Sequence, residues 1–165
     1  MLLTAFTLLH VLISLVGIAA GFVVVLALLQ RTAPERWTKM YFFTTVATSV
    51  TGFFFPVARL LPSHVVGLIS LVILGVAMYA FYARHLTGAW RKVYVVSVLL
   101  ALYLNVFVAV IQSFLKIPAL KALAPTQSEP PFKFTQLAVL LLFVGLGILT
   151  LIRFRPERQS LSSHT

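Results

Sequence analysis

A chain of 165 residues that is 61% hydrophobic and only 10% charged lies outside the range of water-soluble domains, and its class is membrane protein. The net charge of +10 is spread between apolar runs instead of gathering on one face, which makes nucleic acid a poor partner and the lipid bilayer, with its anionic headgroups, a good one. The absence of cysteine excludes disulfides, thiolate metal sites and thiol catalysis.

A bilayer core requires about 20 mainly apolar residues per helix. Windows of that kind fall at 3–30, 39–61, 65–84, 93–115 and 133–153 and predict an all-α bundle of five transmembrane helices in one domain, residues 1–154. The first run exceeds the core of a secretory signal and is read as a retained span. In it His10, Ser14, Gly17 and Gly21 share one helix face, and Gly17 with Gly21 forms a G-x-x-x-G pair suited to close helix packing. The second window crowds Thr44, Thr45, Thr48, Ser49 and Gly52 onto one side before F-F-F-P at 53–56, where Pro56 is expected to kink or end the helix.

Arg59 and His64 flank the short L-P-S-H connector to the third span. The segment H-L-T-G-A-W-R-K at 85–92 reads as an interfacial turn, and Trp37, Tyr41, Trp90 and Tyr94 are expected as aromatics at that membrane surface. Along the fourth window Ser97, Ala101, Asn105, Ala109 and Gln112 repeat at helical spacing. A connector at 116–132 follows, with Pro118, Pro125, Pro130, Pro131 and the acid Glu129, and is expected to form a stiff outer lid. Gln136 opens the fifth span, and residues 155–165 form a short tail.

Topology follows from the basic residues. With the first and third loops and the tail in the cytoplasm, nine Lys and Arg lie inside and four outside, so the N-terminus faces out and the C-terminus faces the cytoplasm. The lysines of the fourth loop vote the other way, and the alternative is four spans with one window lying on the membrane surface.

Ionisable and amide groups in hydrocarbon are costly, so each is a candidate for function. His10, Arg59, His64, Asn105, Gln112, Glu129 and Gln136 are predicted to converge on the outer side as a polar site. The pattern contains no H-E-x-x-H, G-x-S-x-G, P-loop or paired carboxylates, and no catalytic residue or metal ligand set is assigned. The favoured reading is a structural or accessory protein of a membrane assembly, with Ser14, Gly17, Gly21, Thr48 and Gly52 as helix-packing residues. Two alternatives stand beside it. One is a redox protein holding haem b or a quinone through His10 and His64, and the other is a small transporter or channel. Partners would be lipid, other membrane subunits or a second copy of the chain.

The stretches T-T-V-A-T-S-V-T-G-F-F-F-P at 44–56, Y-L-N-V-F-V at 103–108 and Q-S-F-L-K-I-P-A-L-K-A-L-A-P-T-Q-S-E-P-P-F at 112–132 resemble those of small uncharacterised bacterial inner-membrane proteins. The resemblance implies a multi-pass protein of the bacterial inner membrane and carries over no activity and no site residues.

Overall fold

The computed structural model describes residues 2–55 and 62–154. Six α-helices are present among them: α1 (Leu2–Leu29), α2 (Glu35–Gly52), α3 (Pro62–Met78), α4 (Trp90–Lys116), α5 (Pro118–Leu123) and α6 (Pro130–Arg153). A π-helical turn, Tyr79–Ala83, continues α3. Four of the helical segments are long and apolar enough to cross a membrane: Leu3–Leu29, His64–Ala83, Trp90–Lys116 and Pro130–Arg153. The remaining expected window, 39–61, corresponds to α2, which is 18 residues long and carries Glu35, Arg36 and Lys39 in its first turns. Arg59, Pro56 and the tail 155–165 lie outside the described residues.

The outward side chains bear out the membrane class. Leu8, Leu12, Phe43, Leu68, Phe134 and Leu141 all face outward, an arrangement that hydrocarbon solvates and water does not.

Helix ends follow local chemistry. At the end of α1 the Thr32 N–H donates to the Ala27 carbonyl at 2.9 Å and the Arg31 N–H to Leu28 at 3.0 Å. This is a Schellman closure with Arg31, at φ 64°, in the left-handed position that glycine usually occupies. Pro34 then sets the extended entry to α2. Pro118 and Pro130 start α5 and α6 at the position where a missing N–H costs nothing. Far from stiffening a loop, these prolines begin helices. The backbone carbonyl of Phe154 accepts a hydrogen bond from the Arg91 guanidinium, fastening the end of α6 to the start of α4.

Cross-helix contacts give the directions. Moving along α1, Gly21 faces Tyr41, Gly17 faces Thr44 and Thr45, and His10 faces Thr51, so α1 and α2 are antiparallel over most of their length. Thr38 meets Tyr94 and Tyr41 meets Val98, so α2 and α4 run parallel. Phe53 of the turn after α2 packs on His64 near the start of α3, whereas Phe42 meets Phe81 at its far end. Gln136 reaches Phe107, and Phe143 packs on Tyr103, making α4 and α6 antiparallel. One end of the bundle therefore gathers the start of α1, the end of α2, the start of α3, the end of α4 and the start of α6.

The tight core sits at the opposite end. Ala20, Val24 and Leu28 of α1, Leu74 and Ala77 of α3, and Val98 and Leu102 of α4 are fully buried around Tyr41 and Tyr94. A Cβ added to Gly21 would stand 2.6 Å from Leu102 Cδ1 and 2.9 Å from Tyr41 Cε2, so glycine is what lets α1 approach this closely. Tyr41 and Tyr94 were expected at the membrane surface and instead have no exposed area. Their hydroxyls explain why: Tyr41 donates to the Val98 carbonyl at 3.0 Å, and Tyr94 lies 3.2 Å from Thr38 Oγ1. Each ring fills the core while its polar tip is bonded.

Candidate functional site

Between α1, α2, α3 and α4, at the end away from this core, lies a cavity of about 540 Å³. Its size is that of a small-molecule pocket. Most of its wall is apolar, with a limited set of polar groups projecting inward, His10 and Ser14 from α1, Thr48 and Ser49 from α2, His64 and Ser70 from α3, and Asn105, Gln112 and Lys116 from α4.

His10 is the best-defined of these. Its Nδ1 stands 2.8 Å from Thr51 Oγ1. The Thr51 hydroxyl also lies 2.7 Å from the Ala47 carbonyl and 3.2 Å from that of Thr48. When it donates back to its own helix, its oxygen accepts from His10 Nδ1 and Nε2 carries the lone pair of the neutral ring; in the other tautomer Thr51 donates to Nδ1. The Phe55 ring meets the imidazole edge-on at 5.1 Å.

His64 also lines the cavity and packs against Phe53, ring centres 5.6 Å apart. The two histidines thus flank the same F-F-F segment; α2 ends at Gly52, and the turn through Phe53 and Phe54 follows it. Asn105 Nδ2 lies 3.5 Å from Thr45 Oγ1, linking α4 to α2 where the core gives way to the cavity.

Four of the seven predicted site residues, His10, His64, Asn105 and Gln112, share this cavity. Glu129 does not line it. Its carboxylate accepts from the Thr126 hydroxyl at 2.9 Å, the Thr126 N–H at 3.2 Å and the Ser128 N–H at 3.0 Å, closing the turn before α6. Water displaced by neighbouring atoms pushes this carboxyl up, but the Thr126 hydroxyl and the surrounding backbone N–H groups together outweigh it and hold the group below its usual range. Gln136 lies between α6 and α4, donating to the Phe107 carbonyl at 3.2 Å. Arg59 falls outside the described residues.

From the 116–132 connector, Lys116 and Ile117 line the cavity, while Gln127 donates to the Ile111 carbonyl at 3.0 Å and fastens the segment to α4. Of the expected packing residues, Gly17 and Gly21 sit at the close α1–α2 approach, Gly52 lies beside His10, and Ser14 and Thr48 line the cavity.

Three contributors escaped sequence reasoning. Thr51 continues the Thr44, Thr45, Thr48 face by one more turn and could have been found from that spacing. Ser70 sits inside G-L-I-S-L-V-I, where one hydroxyl in an apolar run gives no warning. Lys116 reads from sequence as a loop charge. At the other end, His85 and Glu35 border a second hollow of about 420 Å³, with Glu35 paired to Lys39 at 2.5 Å. Among the described residues no group of three or more His, Cys, Asp or Glu side chains comes together. No known protein family, curated protein or solved structure matches the chain.

Proposed function

We propose that the chain is a five-span protein of the bacterial inner membrane that binds a small, largely apolar molecule in the cavity between α1, α2, α3 and α4. The observation that carries the reading is the cavity itself: about 540 Å³, apolar in most of its wall, with two histidines, two amides and a lysine directed into it. A bundle that served packing alone would gain nothing from leaving this volume open, since empty space forfeits the contacts that hold helices together in lipid.

In this reading α2 is the fifth span. It is 18 residues long, about 27 Å at the usual rise, and lies antiparallel to α1 from Gly21 to His10. The cavity then opens toward the outer half, with the N-terminus outside. The inner-membrane setting rests on the resemblance of the 44–56, 103–108 and 112–132 stretches. Reporter fusions after Gly52 and after Arg153 test the threading: an outer-side signal at the first and a cytoplasmic signal at the second are expected, and the reverse pair overturns it.

Binding is tested by extracting the purified, detergent-solubilised protein and identifying co-purifying small molecules by mass spectrometry, with a cavity-filling Ser14→Phe, Ala109→Phe double variant as the control. A compound present at near-stoichiometric amounts in the parent and lost from the variant is expected. Equal recovery from both removes the cavity as its site.

Haem is the second reading, favoured by the fact that His10 and His64 line one cavity. A Soret band in the purified protein, lost in His10→Phe, would select it.

A further inference from the structure

We propose that the cavity takes a single acyl chain bearing an anionic headgroup, drawn from the surrounding bilayer, with the headgroup at Lys116 and the chain running inward along α4 toward Leu104. The proposal rests on the binding reading above and names the ligand class for that site.

The first observation is the sign of the charge. Among the described residues Lys116 is the one charged side chain on the wall, and the two groups there that can become charged, His10 and His64, gain positive charge when they do. No carboxylate of the described residues opposes them. Aspartate is absent from the chain, Glu35 stands at the opposite end of the bundle paired with Lys39, and the Glu129 carboxylate is taken up by Thr126 and Ser128. An amine in the cavity would meet a lysine of its own sign, whereas a carboxylate or phosphate would meet its complement.

The second observation is the shape. On α4 the lining runs from Leu104 to Lys116, about 18 Å at the usual rise. Spread over that length, the volume of about 540 Å³ has a mean cross-section of about 30 Å², room for one polymethylene chain whose carbons pack about 4 Å from their neighbours. Polarity is graded along this slot. Lys116 closes α4, Gln112 lies one turn below it, and His64 belongs to the first turn of α3 at the same end of the bundle. Deeper in, Leu15, Leu104 and Val108 form the wall. Thr48 and Ser70 present carbon there, because their hydroxyl oxygens are shielded from the cavity, and the Asn105 amide turns to Thr45. Ser14 and Ser49, the other polar side chains at this depth, are uncharged. A charged mouth over a mainly apolar floor matches an amphiphile.

Access is the third observation. Val11 and Leu15 form the α1 wall and yet keep 42% and 55% exposure. Since α1 is long and apolar enough to cross the membrane, this side of the cavity opens onto lipid, the phase in which single-chain amphiphiles dissolve.

The test uses the full chain in phosphatidylcholine vesicles and four photoreactive probes that share a fourteen-carbon chain with a diazirine near its methyl end: the fatty acid, the alcohol, the amine and the lysophosphatidic acid. Irradiation at about pH 8 keeps the acids ionised. Mass spectrometry maps the labelled residues, normalised to Leu141 on the outward side of α6, and the cavity signal is the part lost in the Ser14→Phe, Ala109→Phe variant. The acids are expected to label Leu15 and Leu104 roughly threefold to fivefold more than the alcohol, the range of one solvent-accessible ion pair, and the amine to label them least. Lys116→Gln removes the preference, Lys116→Arg keeps it and Lys116→Glu transfers it to the amine. Lys116 lies at an exposed helix end, and circular dichroism with elution volume verifies the fold of each variant. A preference confined to the fatty acid assigns a carboxylate, one confined to the lysophosphatidic acid assigns a phosphate, and one shared by both assigns a site that reads charge alone.

Equal labelling by acids and alcohol, or a preference that survives Lys116→Gln, overturns the headgroup assignment while leaving the cavity reading intact. Cavity-dependent labelling at Thr7 and Gln112 in place of Leu15 and Leu104 overturns the orientation. No cavity-dependent labelling by any probe, together with no co-purifying compound, defeats both this inference and the binding reading.

Discussion

The two halves of the bundle are built from the same four helices and solve opposite problems. In the half around Tyr41 and Tyr94, glycine and alanine bring the backbones together and the two tyrosine hydroxyls are bonded across to neighbouring helices. In the half around His10 and His64, the same helices carry serine, threonine, amide and imidazole groups and separate to leave a cavity. Small residues on one face and polar residues on one face look alike in a hydropathy profile, yet the first closes space and the second lines it. What distinguishes them is the neighbour: Gly21 meets Leu102 and Tyr41, whereas among the described residues Gly52 has only His10 Cε1, at 3.8 Å, within reach of an added Cβ.

The largest test of this contrast is to place equal bulk in each half. Gly21→Ala should cost about 1–3 kcal/mol through overpacking and deplete folded protein, whereas Gly52→Ala should change stability by no more than about 0.5 kcal/mol. Thermal unfolding in detergent measures both, and equal effects would erase the distinction between the halves. Next in size, Tyr41→Phe removes the bond to the Val98 carbonyl and should cost about 1 kcal/mol. Loss of the bond without loss of ring volume separates the hydroxyl's share of the core from the ring's.

A smaller effect is expected in the open half. Thr51→Val removes the hydrogen-bond partner of His10 Nδ1 and should cost less than about 1 kcal/mol, yet it should shift the balance between the two imidazole tautomers. Nitrogen-15 chemical shifts of labelled histidine report this directly, and an unchanged tautomer would mean that Thr51 does not set it. The smallest effect concerns Glu129. Its carboxyl is held below its usual range in the folded chain, so its contribution is present at neutral pH, begins to fall as pH drops through the ordinary carboxylate value and is gone below the folded one. Acidification should therefore lower the amide-exchange protection of Thr126 and Ser128, measured against the intrinsic rate at each pH, with little change at Ser70.

Much of the fold was legible because oil-like runs of about 20 residues have few alternatives in lipid. α1, α4 and α6 follow directly from that rule. The end of α2 was legible in part: F-F-F-P marked a break, yet the hydropathy window ran on to 61 whereas the helix stops at Gly52 and turns through Phe53 and Phe54. The site was half legible. His10, Asn105 and Gln112 stand out as polar groups within apolar runs, but Ser70 does not, and Glu129 attracts notice as a rare acid although its bonds are local. Burial of Tyr41 and Tyr94 escaped because a tyrosine near a span's end serves a membrane surface and a helix interface equally well.

The π-helical turn at Tyr79–Ala83 bears on how the chain would absorb a change in length. A turn of this kind holds one residue more than an ordinary helical turn needs. Deleting a single residue there would relax it into regular helix and leave Leu74 and Ala77 on one side, and the Arg84 stack over Trp90 on the other, near their present positions. The same deletion in the middle of α4 would rotate everything beyond it by about 100°, turning Asn105 and Gln112 from the cavity toward the lipid. The slack needed for evolutionary trimming is stored in α3, and α4 has none to give.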